Sequence, residues 1–340
     1  MPNTAPANDD PVVTSFIIEQ AKRAGLVKVY PVAAISRGLK GKNLCEFGGL
    51  KDAGAVAVSD DGQPVKNPQL MRRALEYAHG FGLKVISHCE DPDLAADGVM
   101  NEGPQATRWG LGGIPNEAES IMVERDIALA ALTGAHLHIA HVSTRQSVAA
   151  IARAKAQGVM VTAETAPHYL MLTDEMVSGY NTNAKMNPPL RSQEDRQAVR
   201  RALAEGIIDA IATDHAPHSI LEKEVEFDRA ANGIIGLETA LPLGLKLVEE
   251  GVLDIDALIE RMALAPAGIL GLTRGLAPGM SADLTLIDPG VVWTVQAENF
   301  ESKSRNTPFE GWQLKGKAVM TIVDGRVVYR AFLPNSQSRD

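Results

Sequence analysis

The chain has 340 residues, 45% of them hydrophobic and 22% charged, with a formal net charge of -9. That length supplies a sizeable core in two domains, or in one large domain with an appendage. The acidic balance, with no long run of one sign, argues against a nucleic-acid surface and for small-molecule chemistry. Cys45 and Cys89 are isolated, which makes neither a disulfide framework nor a cysteine zinc site and suits a reducing cytoplasm. The start, MPNTAPANDDP, lacks the order of a signal peptide, and no apolar run is long enough to span a bilayer. A cytoplasmic protein with no membrane partner is expected.

From residue 28 onward, short β-rich runs alternate with helical ones. In chain order, strands are predicted at VKVYPVAAI (27–35), GAVAVSD (54–60), KVISHC (84–89), HLHIAHVS (136–143), VMVTAET (159–165) and IDAIATD (208–214). MPNT (1–4) reads as the tail of one more. The strands are apolar along their length, as strands covered on both faces are. Helices are predicted between them, as at PQLMRRALEYAHGFG (68–82) and RQSVAAIARAKAQG (145–158), both ending in glycine. That alternation predicts a parallel α/β sheet.

An open dinucleotide-binding sheet would carry a GxGxxG turn, and none is present. Instead Asp61, His88, His141 and Asp214 stand where four of the six strands end. A (β/α)8 barrel builds its site from several strand ends at one face, so a barrel is the expected architecture. Eight strands are required and only six full ones are found, which predicts a barrel over 1–270 lacking its first one or two strands. Beyond residue 271, ADLTLID (282–288), VVWTV (291–295) and a hairpin at 317–330 turning on Asp324-Gly325 predict part of a small β-sandwich and a tail over 271–340.

A lone strand-end histidine is usually a hydrogen-bonded structural residue. Two of them, His88 and His141, with strand-end carboxylates converging on one barrel mouth, favour a metal site instead. Asp60 and Asp61 are adjacent, so only one can face the axis; the pattern leaves the choice open, and the other is expected in a solvated loop. Asp214, beside such a site, can take and return a proton. His215 and His218 flank Pro217 on a bent connector, one suited to substrate and the other to a supporting role. His79 and His136 read as structural, and His168 as a packing residue. His138, of opposite strand parity to His141, is expected to face the helices. The acidic run CEDPD (89–93) reads as mostly solvated loop. Asn187 stands before two prolines that stiffen its backbone. NGIIGLE (232–238) could offer backbone groups to a planar ligand.

At these residues the chain resembles the class I dihydroorotases of the cyclic amidohydrolase (metallo-dependent hydrolase) superfamily. The resemblance runs through MPNT, SDDG, HCED, HVST, NPPLR, ATDHAPH, GLETALP, ADLTLID and KSRNTPF, in order and at fitting spacing. It implies that Asp61, the second of the pair, bridges two zinc ions, a place where related hydantoinases carry a carboxylated lysine. It implies that His88 and His141 ligate the more buried metal, and that Asp214 ligates the other and acts as general acid and base. Asn3, Asn187 and His218 match substrate contacts, and Gly233 and Gly236 lie in a segment facing the pyrimidine ring.

The implied activity is reversible hydrolysis of dihydroorotate to N-carbamoyl-L-aspartate in pyrimidine synthesis, by a hydroxide held on the metals. A homodimer and an association with aspartate transcarbamoylase are further expectations. The family's His-x-His-x-x-Arg motif does not occur. By its landmarks the chain begins at the end of the family's second strand, so little activity is expected of it as given. An allantoinase or other cyclic amide hydrolase is the rival enzyme, disfavoured by Asp61. A non-catalytic subunit of aspartate transcarbamoylase is the rival of another class, disfavoured by the retained His88, His141 and Asp214.

Overall fold

The computed structural model describes residues 1–331, so the last residues of the expected tail lie outside the described part. Its main sheet has six parallel strands: β1 (Val32–Ala34), β2 (Ala57–Ser59), β3 (Lys84–Ser87), β4 (Leu137–Ile139), β5 (Val161–Thr165) and β6 (Ala210–Ile211). Each falls inside a predicted run but is shorter, because the apolar run continues into the loop that carries the site residues. Neighbours in space are neighbours in sequence throughout, the winding order of a barrel. In register, Ser59 sits beside Ile86, Ile86 beside His138, and His138 beside Thr162.

Among the described residues no strand pairs β6 with β1. Pro266, Ile269 and Leu270, from a helical stretch, line the interior together with Val32 of β1 and Ala210 of β6. MPNT forms no strand; Pro2, Pro6 and Pro11 break the segment, and Asn8 accepts from Ala34 N–H at 2.8 Å and donates to Val32 O at 2.9 Å instead.

The helices follow from caps and periodicity. Asn67 accepts from the N–H groups of Gln69 and Leu70, and Pro68 opens the helix Pro68–Gly80. Met71, Ala74, Leu75 and Ala78 bury one face of it against the sheet, each large side chain contributing about 1.5–3 kcal/mol. Thr144 caps Arg145–Ala156 and Ser192 caps Gln193–Ala204 in the same way. The longest helix, Asn116–Thr133, stops at Gly134 in the left-handed conformation.

The C-terminal region is a three-stranded antiparallel sheet of β7 (Leu284–Thr294), β8 (Gln313–Val323) and β9 (Arg326–Arg330), in the order β9-β8-β7. The two expected strands at 282–295 are one strand, with a register irregularity opposite Lys315–Lys317. The hairpin turns on Asp324 (φ 48°) and Gly325 (φ 76°), both left-handed as a type I′ turn requires. Lys28, just before β1, reaches Asp283 and Asp324 at 2.7 Å each and ties this sheet to the barrel.

Candidate metal centre and catalytic site

The strand ends converge on a cavity of about 690 Å³. Asn3, Asp61, His141, Asp214, His215 and His218 line it, with Ile86, His138, Glu164 and Ala210 among its other walls. One ligand atom from each of Asp61, His88 and His141 lies within 4.8 Å of the others. His88 Nδ1 stands 2.7 Å from His141 Nε2, which is 3.9 Å from Asp61 Oδ1.

This donor set fits a divalent cation. Burial, reinforced by the neighbouring His141, pushes the His88 imidazole well below its ordinary pKa and keeps it in the neutral, ligating form. His88 Nε2 is buried without a partner. A half-buried carboxylate beside two imidazoles is the chemistry of zinc-type sites.

Two site residues have left-handed backbones, His141 at φ 37° and Asp214 at φ 46°. Such non-glycine conformations persist only where surroundings impose them. Just after His141, buried Glu119 accepts from the N–H groups of Ser143 and Thr144 at 3.2 and 3.1 Å and from the hydroxyls of both, which fixes the turn that follows it. Arg191 donates to Ser143 Oγ at 3.1 Å and braces the same turn. Below His88, buried Asp126 accepts from Ser87 Oγ at 2.6 Å.

Asp214 is held above the ordinary carboxylate pKa, chiefly by burial; His141 opposes this, while Asp61 and Glu164 add to it. A carboxyl so tuned is suited to exchanging protons. His215 Nδ1 accepts from Gly236 N–H at 3.0 Å, and His218 Nε2 meets Asn232 O at 2.8 Å. Asn3 Nδ2 donates to Asp61 Oδ2 at 3.3 Å. Asn187 leaves a buried Oδ1 without a partner. Gly233 and Gly236 press closely against the connector: a Cβ would come 2.4 Å from Ala216 Cβ at the first and 2.5 Å from Thr213 O at the second.

Three sequence expectations need correction. Asp60 is not in a solvated loop. It is buried and accepts from Ile35 N–H at 2.8 Å, Ser36 N–H at 2.9 Å and the Ser36 hydroxyl, which leaves Asp61 to face the cavity. His138 does not face the helices; its ring bonds Thr162 Oγ1 at 2.8 Å and lies 3.2 Å from Glu164 on the cavity wall. Strand parity fails here because β4 ends at Ile139 and the left-handed turn at His141 returns its side chain to the same side. Glu90 of CEDPD is half-buried, its pKa raised by desolvation against a hydrogen bond from Asn187 that lowers it, while Asp91 caps a short helix. Glu119 and Glu164 were not singled out from the sequence; for Glu164, its even spacing from Thr162 in β5 was the available signal. His168 is buried and packs on Tyr169, as expected.

A family model described as dihydro-orotase-like matches residues 1–147, and one described as amidohydrolase family matches 116–329. Proteins named dihydroorotase from Desulforapulum autotrophicum and Geotalea daltonii are 59% and 60% identical to this chain. Each match covers 97% of this chain and 78% of the relative. Among solved structures, the L-hydantoinase (dihydropyrimidinase) of Arthrobacter aurescens matches with a TM-score of 0.83 and 27% identity, over 97% of this chain and 76% of that one. A dihydropyrimidinase from Brevibacillus agri NCHU1002 shares the fold, with a TM-score of 0.75 at 21% identity over 96% of this chain and 80% of that one.

Proposed function

The chain belongs to the dihydroorotase family of amidohydrolases, and on that premise we propose that its site serves reversible hydrolysis of dihydroorotate to N-carbamoyl-L-aspartate, a step of pyrimidine synthesis, with turnover reduced by the absence of a His-x-His-x-x-Arg motif from the sequence. The observation that carries the reading is the cluster of Asp61, His88 and His141, of which Asp61 and His141 line the cavity that Asp214 shares.

Asp61, His88 and His141 would hold one zinc ion, and Asp61 and Asp214 would contribute to a second. Bound zinc supplies Lewis acidity and lowers the pKa of water. In the hydrolytic direction water adds across the ring amide. Its oxygen bonds to the carbonyl carbon, the carbon–nitrogen bond breaks, and a proton goes to the ring nitrogen. Asp214 takes the proton from the attacking water and delivers it to that nitrogen; its raised pKa suits both steps. Asn187 Oδ1, buried and unpartnered, accepts a ring N–H, and Glu90 orients the amide. Asn3 and His218 bind the substrate from the rim, and the Gly233–Gly236 segment backs the ring.

The test is a substrate panel on zinc-loaded protein, with dihydroorotate, hydantoin and allantoin followed for binding and ring opening. Preference for dihydroorotate is expected; preference for either of the others would overturn the assignment. The family setting also suggests a cytoplasmic homodimer that associates with aspartate transcarbamoylase, which sedimentation and co-purification would test. Among the described residues no helix is long and apolar enough to cross a membrane.

A further inference from the structure

The carbonyl of Gly233 accepts two hydrogen bonds from side chains that do not line the cavity. Asn306 Nδ2 donates to it at 3.1 Å and Lys223 Nζ at 3.1 Å. Both side chains are buried. Asn306 also donates to Ala216 O at 2.9 Å, accepts from His218 N–H at 3.2 Å through Oδ1, and accepts from Ile235 N–H at 3.0 Å through its own carbonyl. One residue thus holds the connector 216–218 and the segment 233–235 together, across a long separation in sequence. Lys223 spends its other hydrogens on Ala231 O at 2.7 Å and Lys185 O at 3.3 Å, and Lys185 O accepts from Gly233 N–H at 3.0 Å.

What these bonds present to the cavity is His218 and Asn232, which line it and meet each other at 2.8 Å. A carbonyl accepts only, so this contact is donated by Nε2–H and gives the ring a defined orientation as well as a defined place. Gly233 has φ 117°, a conformation open to glycine and strained for other residues.

We propose that Asn306 and Lys223 are positioning residues for substrate binding: they converge on the Gly233 carbonyl and fix the loop pair that carries His218 and Asn232. The proposal rests on the dihydroorotase reading for its ligand and on the hydrogen bonds alone for its residues.

The test uses the full zinc-loaded chain with dihydroorotate titrated by calorimetry. Asn306→Asp keeps the volume and the acceptor to His218 but sets an oxygen against two carbonyls. Lys223→Met keeps the stem and removes the donors, and Lys223→Arg keeps charge and donors. Affinity is expected to fall about tenfold in N306D and K223M, the size of losing one or two buried hydrogen bonds, with part recovered in K223R. Zinc stoichiometry should stay unchanged. Amide exchange should speed up at His218, Gly233 and Ile235 but not in β4. If N306D does not fold, K223M against K223R decides alone. Affinities within twofold of the parent, or zinc lost in step with affinity, would overturn the proposal. Should the parent bind hydantoin or allantoin and not dihydroorotate, the functional reading fails; a tenfold loss for that ligand in the same variants still supports the positioning role, and no loss refutes it.

Discussion

The rings of His88 and His141 meet with Nδ1 of one 2.7 Å from Nε2 of the other and their planes 79° apart. Two imidazoles that turn ring nitrogens toward each other in a buried site, beside a carboxylate, bring three donor atoms within reach of one cation. His88→Ala and His141→Ala should therefore each weaken zinc binding by more than the roughly 10–100-fold that loss of a supporting partner costs. Competition against a chromogenic chelator measures this. Unchanged zinc affinity in both variants would remove the metal centre.

Asp214→Asn keeps the shape of the side chain and removes its proton exchange. Turnover of dihydroorotate by the metal-loaded protein is expected to fall about 10²–10⁴-fold, the range for a general acid–base group. The cluster of Asp61, His88 and His141 should still take up metal. Ring-opening rates and metal content, measured on one preparation, check both halves.

The adjacent aspartates should separate cleanly. Asp60→Asn turns a donor toward the N–H groups of Ile35 or Ser36 and should cost about 2–3 kcal/mol in urea unfolding. Asp61→Asn, facing the cavity, should leave stability nearly unchanged and weaken metal binding. The reverse pattern would exchange their roles.

Burial, with a smaller contribution from His141, lowers His168 from its ordinary 6.5 to about 3. The unfolded chain therefore takes up the proton first. The stability contributed by the neutral imidazole is complete above about pH 6.5 and declines as pH falls toward 3, by up to about 1.4 kcal/mol per unit. His168→Asn should flatten the unfolding free energy between pH 6.5 and 4 relative to the parent. Parallel profiles would contradict the shift.

Gly233→Ala meets two obstacles, a left-handed φ of 117° and Ala216 Cβ at 2.4 Å. A loss of about 1–3 kcal/mol is expected from the backbone strain, with the steric clash adding to it. Adding Ala216→Gly should return the steric part and leave the backbone part, which thermal melts of the single and double variants resolve.

The alternation of apolar runs and amphipathic segments determined the six parallel strands, their order and the C-terminal hairpin, because burial on both faces and a two-residue turn leave their marks within a few neighbouring residues. The motifs likewise singled out Asp61, His88, His141 and Asp214 as candidates. Which of Asp60 and Asp61 faces the cavity was decided by main-chain N–H groups of Ile35 and Ser36, just past the end of the adjacent strand. The direction of His138 and His141 was decided by a left-handed turn that ends the two-residue period on which parity depends. Asn306 gained its place only when the chain brought it to Gly233, 73 positions earlier. Local sequence records the preferences of the backbone and the need to bury apolar surface; hydrogen bonds between distant segments exist only after folding has set them side by side.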